Sequence, residues 1–473
     1  MGQEIASSHY YREDFARFAG ALQQETERLS EWFEGQSFSR SSPLAGFELE
    51  ACLVDENGIP APLNEAFLAQ VRDQALFTPE LSRFNVELNS APVCLQGDAL
   101  AQLASGMVDN WRYGQQIAQG LDASLVMIGI LPTLEEGMLS LANMSDMARY
   151  RALNEQVLRL REGRPLQLDI LGEEHLKTTH SDVMLEAATT SFQLHLQVTQ
   201  DNAVRMYNTL QILSAPLVAI SANSPLLFNH RLWAETRIPL FEQAVAIGGI
   251  AGGAHGPLRR VSFGSGYARH SLLEVFVENA QHFPLLLPEA LDGADSLPHL
   301  RLHNGTIWRW NRPLLGFDEQ GLPHLRIEHR VIPAGPTVED SIANAALLFG
   351  LAYALAEEPQ LEQRLEFGRA RDNFYAAARH GLQAQVSWLD GQRGRLSELL
   401  CQLLPQASQG LARLGCDPAQ SEHYLGIIAA RLQTGQTGSH WQRQAHARYH
   451  GDNQALVAAY LQRQESGEPV HRW

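Results

Sequence analysis

Residues 46–63 read GFELEACLVDENGIPAPL. The first half alternates as a strand does, with Phe47, Leu49 and Ala51 on one side and Glu48, Glu50 and Cys52 on the other. Glu56-Asn57-Gly58 is a turn signal, and a second short extended piece follows it. Glu48 and Glu50 are two apart, so their carboxylates stand about 6.5–7 Å apart along one face. Taken alone, such a pattern is the ordinary solvated face of a strand.

Three more segments repeat it. RFNVELNSAPV (83–93) puts Asn85, Glu87 and Asn89 on one face, and SFQLHLQVT (191–199) does the same with Gln193, His195 and Gln197. HLRIEHRVI (324–332) sets Glu328 between Arg326 and Arg330. Singly, His195 reads as a satisfied core histidine and RIEHR as a surface ion-pair ladder. All are flanked by apolar residues, and if these strands are neighbours they present one sheet face with four carboxylates and an imidazole. Such a face repels itself unless cations neutralise it, and hard divalent ions suit oxygen ligands.

Between the strands, helices are expected near 10–34, 63–76, 98–120 (Asp98 as cap), 146–162, from Asp201, and from PAGPTVED to about 356. SLVMIGIL reads as a short buried strand and LHNGTIWRW (302–310) as another. The apolar stretch Leu210–Phe228 is broken by Pro216 and Pro225 and reads as a buried helix and turn, not a membrane span. Strands and helices mix without a regular βαβ rhythm, which favours an α+β fold with a largely antiparallel sheet. Beyond residue 357 the pattern is helical throughout. The expected organisation is a catalytic domain over 1–357 and a helical extension over 358–473.

Composition sets limits. The 473 residues carry a net charge of −17, which argues against a nucleic-acid partner. Residues 1–357 hold 42 acids against 24 basic residues, and 358–473 hold 11 against 12. That acidic excess fits a solvated surface or carboxylates gathered around metal ions. Lys177 is the one lysine of the chain, in EEHLKTTH, so a Walker A loop is excluded and lysine Schiff-base chemistry disfavoured. Cys52, Cys94, Cys401 and Cys416 form no CxxC pair, which suits a reducing compartment. MGQEIASSHYYREDF lacks the basic and apolar regions of a secretory leader, so a cytoplasmic protein is expected. AIGGIAGGAHG (246–256) and Gly264–Gly266 are lid candidates, or ordinary long loops.

GFELE, VELNSAP, SFQLHLQV, SANSPL and LRIEHRVIPAGPTVED, in that order, resemble the glutamate–cysteine ligase type 2 family of carboxylate–amine ligases, within the glutamine-synthetase-like superfamily. The resemblance spans about Gly46 to Leu355. It implies a curved antiparallel sheet whose concave face holds ATP and Mg2+ (Mn2+ as an alternative). It implies phosphorylation of the γ-carboxylate of glutamate and displacement of the phosphate by an amine. Carried over by motif, Glu48, Glu50, Glu87 and Glu328 would be metal ligands. Glu80, seven residues before Glu87, holds the place of a further acid. His195 matches the second histidine of the HxHxG strand and would serve metal or nucleotide. Arg330 would approach the transferring phosphoryl group or the substrate carboxylate, and Arg312 matches the arginine of a WDxRP-like segment. The chain departs from these patterns at Gln193 and Gln197, and at Asn311 of Trp310-Asn311-Arg312-Pro313. The short family members have no counterpart of the helical tail.

The expected function is an ATP- and Mg2+-dependent ligase joining an amino acid, glutamate first, to cysteine or another small amine. The rivals are a metal-dependent amide hydrolase and a non-catalytic binding protein on a ligase scaffold. The expected partners are small molecules, with neither nucleic acid nor membrane, and the resemblance and extra helices are consistent with a homo-oligomer.

Overall fold

The computed structural model describes residues 5, 7, 9–40, 43–72, 76–247 and 259–473. Its centre is an eight-stranded sheet built around β1 (Leu44–Val54). The other members are β2 (Phe77–Pro79), β3 (Asn85–Asn89), β4 (Val93–Cys94), β5 (Ser124–Val126), β6 (Phe192–Val198), β7 (Asn311–Phe317) and β8 (Pro323–His329). The main path runs β7-β8-β6-β1-β3-β2, and every pairing is antiparallel. β1 is long enough to hold β6 and β5 along one edge and β4 and β3 along the other. The expected α+β fold with a curved antiparallel sheet is thus what the chain adopts.

One sheet face is apolar. Phe47, Leu49, Phe192, Leu194, Leu196, Leu325 and Ile327 are all at most 3% exposed. Helix Gln200–Ser221 backs this region, entered through a capping box of Thr199 and Asn202. Helix Val338–Leu355, capped by the Thr337 side chain, packs on it in turn. Val338–Leu355 is long and apolar enough to cross a membrane, yet 83% of it is buried as a core helix.

Three expectations need correcting. The chain beyond 357 is not helical throughout: Gln385–Ser387 and Arg393–Arg395 pair as a small antiparallel hairpin. Residues 302–310 are not a strand: Pro298–Gly305 is a helix, and the strand begins at Asn311. Pro298 at the first turn favours the helix. Trp310 spends its aromatic bulk on Phe241 and Phe374 rather than in a ladder. Pro313 is tolerated in β7 because that strand is an edge. The helix read over 63–76 is only Asn64–Leu68. Its start is pinned by the buried Asn64 amide, which donates to Ser82 O and Ser145 Oγ, while 73–75 lie outside the described residues. The lid candidate 246–256 also falls there from residue 248 on.

The C-terminal helices are keyed into the same core. Helix Leu396–Leu414 crosses Val338–Leu355 with the backbones in contact: a Cβ on Gly410 would meet Gly350 O at 1.8 Å, and one on Gly350 would meet Ala407 O at 2.3 Å. Arg431, from helix Pro418–Thr434, is buried against Asp340 (3.0 Å) and Asn344 (2.7 Å). Gly410→Ala should therefore destabilise the whole chain, by about 3 kcal/mol on overpacking grounds. Urea denaturation would show it, and an unchanged midpoint would mean that the two helices can move apart.

Candidate active site

The other face of the sheet is polar because every polar residue lies in register. Glu50 is opposite Glu87, and Glu87 opposite Thr78. Glu48 lies between Asn89 and Gln193. His195 lies between Gly46 and Glu328, and Glu328 faces Arg312. Directly opposite residues share a face, so strands far apart in sequence deliver one array. Glu80 joins it from the bend after β2. The array floors a cavity of about 370 Å3, which Glu48, Glu50, Glu80, Glu87, Arg312 and Arg330 line. All eight residues singled out in the sequence are thus brought together, with His195 and Glu328 set behind that lining.

The carboxylates sort into two triads. In each, one ligand atom per residue lies within 4.8 Å of the others: Glu48, His195 and Glu328 form one, and Glu50, Glu80 and Glu87 the other. In the first, His195 Nε2 is 3.3 Å from Glu48 and 3.9 Å from Glu328. Neither buried ring nitrogen of His195 makes a well-formed hydrogen bond. Glu328, fully buried, takes a two-pronged bond from Arg312 (2.9 Å on each oxygen) and one from Arg330 (3.0 Å). Burial would raise the Glu328 pKa, but Arg312, Arg330 and His195 hold it well below the usual carboxylate range. Glu48 is likewise held low, with His195 and Arg330 among the positive charges that offset its burial.

The second triad is short of positive charge. Burial and the Glu87 charge raise Glu50 to about 7, against the pull of Arg330. Burial and the Glu50 charge raise Glu80 to about 7 as well. Glu87 is pushed well above 4.5 by burial and by the charges of Glu48 and Glu80. The bonds these groups do receive come from neutral donors: Ser191 N and Gln193 Nε2 to Glu50 (2.6 and 2.9 Å), Thr78 Oγ1 to Glu87 (2.9 Å), and Leu81 N to Glu80 (3.3 Å). Each bond leaves lone pairs on the same carboxylate.

This cluster carries a pH signature. In the unfolded chain Glu50 and Glu80 ionise near 4.5, but folded they keep their protons to about 7. Between those values the folded state holds more protons, so their contribution to stability is lost as pH rises through 7. The metal-free protein should melt lower at pH 8 than at pH 6, and Mg2+ should restore more at pH 8. A melting temperature flat over that range and insensitive to Mg2+ would show that the cluster is not strained.

The sequence did not reveal several residues of the cavity wall. Arg149 and Tyr150 open helix Ala148–Leu160, with Arg149 Nη2 bonded to the Tyr150 hydroxyl (2.6 Å). Glu186, on a short 3-10 turn, is held well above its usual range by burial and by the charges of Glu80 and Glu50. Arg301 comes from the middle of helix Pro298–Gly305, one residue before the segment read as a strand. Arg149, Tyr150 and Glu186 sit at a helix start or on a short turn, where no period marks the inward side.

A model of glutamate–cysteine ligase family 2 matches residues 44–459, taking in the C-terminal helices as well as the sheet. No curated protein matches the sequence. Among solved structures, a glutamate–cysteine ligase from Francisella tularensis in complex with AMP superposes with a TM-score of 0.52 at 12% identity. It covers 91% of this chain and 90% of that one. A bifunctional glutathione synthetase from Pasteurella multocida gives 0.52 at 11% identity. There the match covers 94% of this chain and 55% of the longer protein. Both likenesses are of fold, the curved antiparallel sheet of the glutamine-synthetase-like type. With a family match over most of its length and a sheet of that kind, this chain belongs to glutamate–cysteine ligase family 2.

Proposed function

We propose that this protein is an ATP- and Mg2+-dependent carboxylate–amine ligase that activates the side-chain carboxylate of glutamate and joins it to cysteine or another small amine. The observation that carries this is the pair of acid triads on one rigid sheet face, beside two arginines at a single cavity. The name of the family supplies the substrates.

The residues fit divalent cations. Glu50, Glu80 and Glu87 offer oxygen alone and repel one another, as a site for Mg2+ should. Glu48, Glu328 and a His195 ring nitrogen add a mixed oxygen and nitrogen set, acceptable to Mg2+ or Mn2+. Held by these residues, such ions would neutralise the charge that develops during phosphoryl transfer.

The chain's own groups do the rest. Arg330 lines the cavity and supplies a guanidinium that suits an anion such as phosphate or carboxylate. Arg312 and Arg330, both anchored on Glu328, are held in place before any substrate arrives, so little reorganisation is needed at the moment of transfer. The acid attacks the γ-phosphorus of ATP, ADP leaves, and the acyl phosphate accepts the amine with loss of phosphate. The cavity walls must keep water from that intermediate.

Phosphate release from ATP with Mg2+, with and without L-glutamate and across a panel of amines including cysteine, tests the proposal. Release that needs both an acid and an amine is the expected result. Absence of ATP turnover in every combination would overturn it.

A further inference from the structure

We infer that Gln193 is a positioning residue: a neutral spacer that keeps Arg330 from pairing with Glu50, so that the carboxylate stays open to a cation and the guanidinium to an anion. The inference rests on the ligase reading above and concerns a position where the chain departs from its family's histidine motif.

Gln193 is 2% exposed and central in β6. Its side chain bridges the two triads. Arg330 Nη1 donates to Gln193 Oε1 and also to Glu328 Oε2, while Gln193 Nε2 donates to Glu50 Oε1 at 2.9 Å. The orientation of the amide is fixed by the arginine, which can only donate, so Oε1 faces Arg330 and Nε2 is left for Glu50. A chain of bonds thus runs from Arg312 through Glu328, Arg330 and Gln193 to Glu50. The far oxygen of Glu50 is held by Ser191 N at 2.6 Å.

Without the amide, charge would rearrange this chain. Arg330 exerts the strongest attraction on Glu50 of any nearby group. A direct pair would supply the positive charge that the Glu50, Glu80 and Glu87 cluster lacks, and the cluster would lose its need for a cation. It would also turn Arg330 toward the floor and away from the cavity. Glutamine prevents both at once, because it satisfies each partner and adds no charge. A glutamate here would add another acid to the face, and an apolar side chain would hold neither neighbour.

The test is Mn2+ binding by the full-length protein without nucleotide, read as free Mn2+ by electron paramagnetic resonance, with melting curves as the control for folding. Gln193→Leu should weaken binding at least about tenfold, the usual range for groups that orient metal ligands. Gln193→Met, closer in shape, takes its place if the leucine variant does not melt cooperatively. Removing Arg330 as well, in Gln193→Leu/Arg330→Leu, should restore much of the lost affinity, because nothing then competes for Glu50. A merely structural glutamine would give two losses that add. Wild-type binding with an unaffected Gln193→Leu, or a loss that the double variant does not recover, overturns the inference and leaves the ligase reading in place. Failure of the wild-type protein to bind Mn2+ without nucleotide overturns the inference, whereas the ligase reading falls only on absence of ATP turnover.

Discussion

Glu87→Gln should produce a protein that melts higher than the parent without metal and turns over at least ~10^3-fold more slowly, a loss of about 4 kcal/mol in transition-state stabilisation. Both effects have one cause. Glu87 is buried between acids that raise its pKa well above 4.5, so the folded state bears an electrostatic cost that the unfolded chain does not. An amide of the same shape still accepts from Thr78 Oγ1 and turns donors toward the neighbouring carboxylates. The gain is about 1–2 kcal/mol, in the range of hydrogen bonds to charged groups. The same change removes a ligand from the oxygen-only triad, and Mg2+ should no longer raise the melting temperature appreciably. A variant that is inactive but less stable would mean that Glu87 serves the fold. A fully active one would remove the triad from the site.

Glu328→Gln should do the reverse to the fold. Arg312 and Arg330 both rest on this carboxylate, and all three groups are buried. Neutralising it leaves two guanidinium charges with too little to face. Breaking a buried pair by removing one partner costs about 3–5 kcal/mol. Activity should vanish too, so the discriminating measurement is the denaturation midpoint: it falls here and rises for Glu87→Gln. Equal midpoints in the two variants would refute the division of the acids into a neutralised triad and a strained one.

That division was not visible in the sequence, although its members were. Alternation in four short segments named Glu48, Glu50, Glu87, His195 and Glu328, because a period of two is a local property. Which strands are neighbours is a long-range property, and it decides that Glu50 faces Glu87 while His195 faces Glu328. Glu80 lies at a bend and was reached only through the family pattern. Arg149, Tyr150 and Glu186 escaped because a turn or a helix end has no facing rule. β7 was misplaced because tryptophans at 308 and 310 imitate a strand and Pro313 argues against one. Gln193 appeared as a missing histidine, whereas in the structure it links the two halves of the array.

The contact of Gly350 with Gly410 has a consequence for how the chain is made. Helix Val338–Leu355 is buried on nearly every side, partly by residues 396–414 that leave the ribosome later. At roughly 5–20 residues per second, an apolar segment long enough to span a bilayer waits some seconds for its cover. During synthesis this helix is thus a segment open to chaperones and to membrane-targeting factors. A chain released before residue 396 would carry all of the candidate site residues but not a finished core.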